Sequence, residues 1–230
     1  MFLTADNEIK WKRMAWGALG TGLFVMLGMI FIDVPMYIAT RGISDWAIWS
    51  ILGRVFDAKV WIVVSAIVFA VYGIKRFIKT IQSIQNRELR FHIIDILKET
   101  WNKTRTSNAF LILLSVFCAS ITVWMLKVLI ARLRPVFVMS GIIPDFDRFT
   151  WAWHSMPSGH TTVTFAGLVM IGMLAPKYKP LTWTLAVIVG ASRVFVGAHW
   201  FSDVVLGAFI GMVVADIVKW VLMNRLNKDM

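Results

Sequence analysis

Residues 109–130 read AFLILLSVFCASITVWMLKVLI, and the fold follows from this stretch. Eighteen residues pass without a charge before Lys127. A helix needs about 20 mainly apolar residues to cross a hydrocarbon core of roughly 30 Å. Working outward, five further stretches have the same character, at about 14–32, 60–74, 161–175, 181–196 and 204–222. The second, fourth and fifth of the six are short for a full crossing, which tilt or local thinning of the bilayer accommodates. The expected fold is all-α, an integral membrane protein with about six transmembrane helices in a single domain over 1–230. The first stretch follows Lys10, Lys12 and Arg13, and no small-residue cleavage site appears before Asp33. It reads as a retained anchor rather than a removed leader.

The composition agrees. Of 230 residues, 58% are hydrophobic and 16% charged, against roughly 45–50% and 25% in average globular chains. That excludes a disordered protein and argues against an ordinary soluble domain. Twelve Trp and 16 Phe suit the two interfaces of a bilayer. A net charge of +11 raises nucleic acid as a partner, but the placement of the charges answers it. With a cytoplasmic N-terminus and six crossings, 16 Lys and Arg fall inside and eight outside. That is the positive-inside pattern, and no basic stretch carries a nucleic-acid-binding motif. Both termini are then cytoplasmic. The lone Cys118 excludes an internal disulfide and any multi-cysteine metal site, and within an apolar run it reads as a buried thiol.

Two further features are structural in this reading. In 75–108, Arg76, Lys79, Arg87, Arg90 and Lys98 alternate with Phe77, Ile81, Ile84, Leu89, Ile93, Ile94 and Leu97. The pattern predicts one or two amphipathic helices on an anionic cytoplasmic surface, with His92 structural. Asp216 interrupts the last stretch, and Lys219, one turn on, is its expected partner.

Three polar clusters break the apolar pattern, all on the outer side of this topology. Lys127 and Arg134 lie seven residues apart, two turns of one helix face, before Pro135 stops the helix. Ser155-Met-Pro-Ser158-Gly159-His160 runs straight into a span. Its turn and first-turn N–H groups suit an anion, and His160 can move a proton near neutral pH. Ser192-Arg193 is followed by His199 and Asp203. If the last helix begins near His199, the His and Asp share a face, and a carboxylate on one ring nitrogen leaves the other free as a nucleophile. Each cluster alone has a bland reading: snorkelling cations, a plain turn, a structural His–Asp pair. Together they place three cations, two histidines, a carboxylate and a helix N-terminus at one membrane face. That inventory suits hydrolysis of a phosphate monoester or anhydride, with too few carboxylates to call for a divalent metal.

The order Lys-x6-Arg-Pro, Pro-Ser-Gly-His, Ser-Arg-x5-His-x3-Asp, spanning 127–203, resembles the type 2 phosphatidic acid phosphatase (PAP2) superfamily, with a helical core similar to the haloperoxidases. The resemblance implies a cofactor-free lipid phosphatase. Lys127, Arg134, Ser158, Gly159 and Arg193 would hold the phosphate. His199 would form a phosphohistidine, Asp203 would orient it, and His160 would protonate the leaving group. Ser192 would support, and Arg132 and His154 would at most meet a headgroup. Family substrates include phosphatidic acid, phosphatidylglycerophosphate, undecaprenyl diphosphate and lipid A. The compact chain suggests a bacterial inner-membrane enzyme with its site facing the periplasm. Two other readings share the fold: a vanadium haloperoxidase-like enzyme, disfavoured by six spans, and a non-catalytic transporter or lipid-binding protein, disfavoured by the intact histidines.

Overall fold

The computed structural model describes residues 1–4, 6–85 and 93–228. Its helices are α1 (Trp11–Leu27), α2 (Asp33–Ala39), α3 (Ala47–Val55), α4 (Ala58–Gln85), α5 (Ile93–Thr104), α6 (Asn108–Ile130), α7 (Pro135–Ser140), α8 (Gly159–Leu174), α9 (Lys179–Phe195) and α10 (Phe201–Lys228). A π-helical turn, Gly28–Ile32, joins α1 to α2. Each apolar stretch read from the sequence lies on one of these helices. Four segments are long and apolar enough to cross a membrane: Trp11–Ile43, Ala58–Ser83, Asn108–Ser140 and Phe201–Asn224. Gly159–Leu174 is apolar but shorter.

The shortest of these is the centre of the bundle. Helix α8 packs against α10, α9, α6 and α4, and Val163, Ala166, Val169 and Met170 are fully buried. It meets no lipid along most of its length, so it does not need to match the hydrocarbon thickness. Its closest neighbour is α10, where Gly207 and Gly211 sit four residues apart. A Cβ on Gly207 would meet the Ser158 carbonyl oxygen at 2.9 Å, and one on Gly211 would meet Phe165 Cβ at 2.7 Å. Small residues at this spacing let membrane helix backbones approach, where packing rather than water exclusion drives association. The surface is the reverse of a soluble protein's. Trp16 is 73% exposed and Leu129 70% exposed, both on helices apolar enough to face lipid.

Several local expectations change. Helix α6 ends at Ile130, because Ala131 takes a left-handed conformation (φ 46°) and its N–H closes on the Lys127 carbonyl. Lys127 and Arg134 therefore do not share a helix face. Pro135 does not stop a helix but begins α7, where its fixed φ and missing N–H are tolerated. His199 precedes α10 rather than lying on it, since the helix starts at Phe201. In the 75–108 segment, the basic run 75–79 continues α4 without a break. Helix α5 exposes Ile93, Ile94, Leu97 and Trp101 and carries an exposed Glu99–Lys103 ion pair. Arg87, Leu89, Arg90 and His92 lie outside the described residues. Cys118 is half-buried.

Asp216 is fully buried, and Lys219 is not its partner. Its carboxylate accepts from the Met1 ammonium at 3.2 Å and from the Phe2 N–H at 2.7 Å. Phe2 itself is buried, edge-on to Phe209. A charged partner arriving from 215 residues away in sequence supplants a neighbour one turn along the same helix.

Candidate active site

The C-terminal ends of α6 and α9 and the N-terminal ends of α4, α8 and α10 meet at one end of the bundle, and every sequence-predicted site residue is there. The loop between α7 and α8 turns a row of carbonyls inward through a short 3-10 turn at Trp151–Trp153. Lys127 Nζ donates to the His154 carbonyl at 2.6 Å. Arg134 donates to the same carbonyl through Nη2 (3.2 Å), to Trp151 O through Nε (2.9 Å) and to Ala198 O through Nη1 (2.7 Å). Its guanidinium also lies over the Trp151 ring, 4.2 Å from the centroid. The two cations thus converge through a shared carbonyl, although the helix that was expected to align them has ended. The His154 ring points elsewhere, to the Arg148 carbonyl.

Ser158 is the N-cap residue of α8. Its side chain is buried and accepts from Thr161 Oγ1 at 2.9 Å, and its N–H donates to the Asp203 carbonyl at 3.0 Å. The first-turn N–H groups of Gly159 and His160 have no intrahelical acceptor, as at any helix start. Gly159 packs beside Lys127, where a Cβ would stand at an ordinary contact distance of 3.5 Å from Lys127 Cε. His160 Nε2 faces the Gly53 carbonyl at 3.1 Å and Asp57 Oδ2 at 3.2 Å. A carbonyl can only accept, so Nε2 carries the proton. Arg193 is buried at the end of α9 and donates to Ser192 Oγ (3.1 Å) and to the Trp49 carbonyl (2.8 Å). Helix α3 therefore closes this side with two of its own carbonyls, from Trp49 and Gly53.

His199 is 3% exposed. Its Nδ1 donates to the Ser155 carbonyl at 2.7 Å, and its Nε2 lies 3.3 Å from Arg134 Nη1. Both neighbours dictate one tautomer: Nδ1 protonated, Nε2 bearing a lone pair. Burial holds the imidazole far below its usual range, down to about 3; Arg134 and Lys127 push the same way, against the pull of Asp203. The ring is neutral at physiological pH. Asp203 lies 3.7 Å from His199 Nδ1, beyond hydrogen-bond length. Its Oδ2 instead accepts from Ser155 Oγ (2.5 Å) and from the Trp200 N–H (2.9 Å). The residue whose carbonyl orients His199 is thus the residue Asp203 holds.

Sequence reasoning missed four members of this network. Arg132 points inward and donates to Asp203 Oδ1 at 2.6 Å and Asp33 Oδ2 at 2.7 Å, so it is not a headgroup contact. Asp33 is buried at the end of the first apolar stretch; an ionisable residue at membrane depth was the available signal. Asp57 precedes α4 with no motif around it. Ser155 was quoted only as the start of the second cluster. Among the described residues, no three His, Cys, Asp or Glu side chains gather as metal ligands would.

The class these observations define is a helical membrane protein with a cationic polar site, built around a buried histidine, at one end of its bundle. The PAP2 superfamily profile matches residues 108–227, and the chain belongs to that superfamily. A lipid A 1-phosphatase of Rhizobium johnstonii is 26% identical over 220 residues, covering 90% of this chain and 84% of that protein. A lipid A 1-phosphatase of Porphyromonas gingivalis is 36% identical over 74 residues, but these are 30% of this chain and only 17% of that protein. Phosphatidylglycerophosphatase B of Escherichia coli is 29% identical over 86 residues, 34% of each chain. No solved structure matches.

Proposed function

We propose that the chain is a lipid phosphatase that works through a phosphohistidine. The observation that carries this reading is His199, held neutral with Nε2 free at 3.3 Å from Arg134. The substrate phosphate sits among Lys127, Arg134, Arg193 and the first-turn N–H groups of Gly159 and His160, which neutralise its oxygens as charge redistributes. His199 Nε2 attacks phosphorus, the P–O bond to the lipid breaks, and the leaving oxygen takes a proton from the His160 imidazolium, whose Nε2–H the Gly53 carbonyl holds. Burial and Arg193 push the His160 imidazole below its usual range, and Asp57, beside Nε2, pulls the other way toward the protonated form. Water then attacks the phosphohistidine and gives a proton back to His160. The P–N bond breaks and inorganic phosphate leaves.

The site lies at the end of the bundle that the Lys and Arg distribution assigns to the outside, so the substrate comes from the outer leaflet of the bacterial inner membrane, with both termini cytoplasmic. Among lipid phosphates, a lipid A-type 1-phosphate is the leading substrate, because relatives of that name share most of this chain's length. Undecaprenyl diphosphate, phosphatidylglycerophosphate and phosphatidic acid are its competitors. The test is phosphate release by purified protein across a panel of these four lipids in detergent, with His199→Gln beside it. Wild-type turnover and none by a folded H199Q support the reading, and retained turnover by H199Q overturns it. A C-terminal reporter fusion checks the topology, and a periplasmic readout would refute it.

A further inference from the structure

We propose that Asp33 and Arg132 are positioning residues for the nucleophile, so that the start of α2, outside the matched 108–227 region, is part of the catalytic apparatus. The inference rests on the phosphohistidine reading above. Neither residue touches the reacting atoms, and both act through Ser155.

Two routes from Arg132 converge on Ser155. Its main-chain carbonyl accepts from the Ser155 N–H at 2.9 Å. Its side chain grips Asp203 Oδ1 at 2.6 Å, and the other oxygen of that carboxylate accepts from Ser155 Oγ at 2.5 Å. The Ser155 carbonyl, fixed from both sides, is the acceptor that aims His199 Nδ1. Two carboxylates flank one guanidinium. A planar fork can meet them with separate nitrogens in a fixed geometry, which an ammonium cannot reproduce. Asp33 sets the far side of the fork. It is 2% exposed and accepts from Arg132 Nη2 (2.7 Å), Ser202 Oγ (2.6 Å) and the Ser202 N–H (2.9 Å). Ser202 Oγ in turn accepts from Arg132 Nη1 at 2.7 Å. The π-helical turn ends at Asp33, whose N–H closes on the Gly28 carbonyl. Such turns frequently occur at functional sites, where they re-register a helix face. Here the turn aims a carboxylate at the start of α10.

The experiment separates the aim of the nucleophile from the phosphate cage. Orthovanadate forms a bond to the nucleophilic nitrogen and reports its position, whereas inorganic phosphate reports the cage. Both are titrated by calorimetry into the full-length protein in detergent, as wild type, Asp33→Asn, Arg132→Gln and Arg132→Lys. The relay predicts at least tenfold weaker vanadate binding in all three variants, with phosphate affinity changed less than about twofold. The D33N/R132Q double variant binds vanadate no more weakly than the worse single one. Parallel loss of both ligands, or vanadate binding within threefold of wild type in folded protein, overturns the proposal. D33N keeps the side-chain shape and carries the test if the Arg132 variants fail to fold. Unweakened vanadate binding by H199Q would instead sink the phosphohistidine reading, so the two failures are distinguishable.

Discussion

Replacing Gly53 by Ala tests how tightly α3 holds the cage. A Cβ at this position would stand 2.7 Å from Arg193 Cζ and closer to both guanidinium nitrogens. Carbon contacts are comfortable at about 3.5–4.0 Å, so the guanidinium must retreat by about 1 Å. What yields is the far end of a flexible side chain, and α3 itself can stay. Arg193 then gives up its 2.8 Å bond to the Trp49 carbonyl, a loss of about 1.5–3 kcal/mol for a charged donor. Ala in a helix interior recovers about 0.5–1 kcal/mol over Gly. Melting in detergent, followed by tryptophan fluorescence, should therefore fall by only a few degrees. Activity should move far more, since a 1 Å misplacement costs about 10²-fold. Losing charge-assisted bonds to phosphate costs about 1.5–3 kcal/mol, which is about 10- to 150-fold at 1.36 kcal/mol per decade. The assay is kcat/KM for phosphate release from the best lipid of the panel. A G53A enzyme within threefold of wild type, melting normally, would refute the placement of Arg193 in the cage.

Asp57→Asn should lower kcat about 10²-fold on a lipid with an alkoxide leaving group but far less on p-nitrophenyl phosphate, which needs no proton; equal losses on both would remove His160 from the general-acid role. Gly211→Val should cost about 1–3 kcal/mol by forcing α8 and α10 apart, read as a lowered melting temperature, and an unchanged one would contradict the close approach. His199 should keep the ring-nitrogen NMR signature of the neutral Nδ1–H tautomer down to pH 5. Its folded pKa, about 3, lies below the unfolded value of about 6.5, so its contribution to stability is full above about pH 6.5 and declines as pH falls toward 3. Titration of that ring near pH 6.5 would contradict its burial.

The apolar helices were legible because a bilayer imposes one rule on every lipid-facing residue, and hydropathy reports it directly. That Lys127, Ser158, Arg193 and His199 would lie at one end of the bundle was legible, because they belong to short clusters at helix ends that the alternation of spans brings to one side. The supporting shell was not. Arg132 finds Asp33 across 99 residues, and no local pattern marks either as the other's partner. Ala131 carries no hint that it will turn left-handed and end the helix at Ile130, short of the stop expected at Pro135. Asp216 shows the same limit, since the sequence offers Lys219 one turn away and the fold supplies Met1 and Phe2.

The carbonyls of Trp49, Trp151, His154 and Ala198 already accept hydrogen bonds from the cage cations. In the proposed site a phosphate would replace one set of acceptors with another, and its net affinity would be the difference between them. Only an anion with several oxygens and enough charge can displace neutral carbonyls from two arginines and a lysine at once. Chloride or a single carboxylate would gain too little to make the exchange. The same carbonyls would take the cations back as inorganic phosphate left, so a site of this kind would select its anion strongly without binding its product tightly.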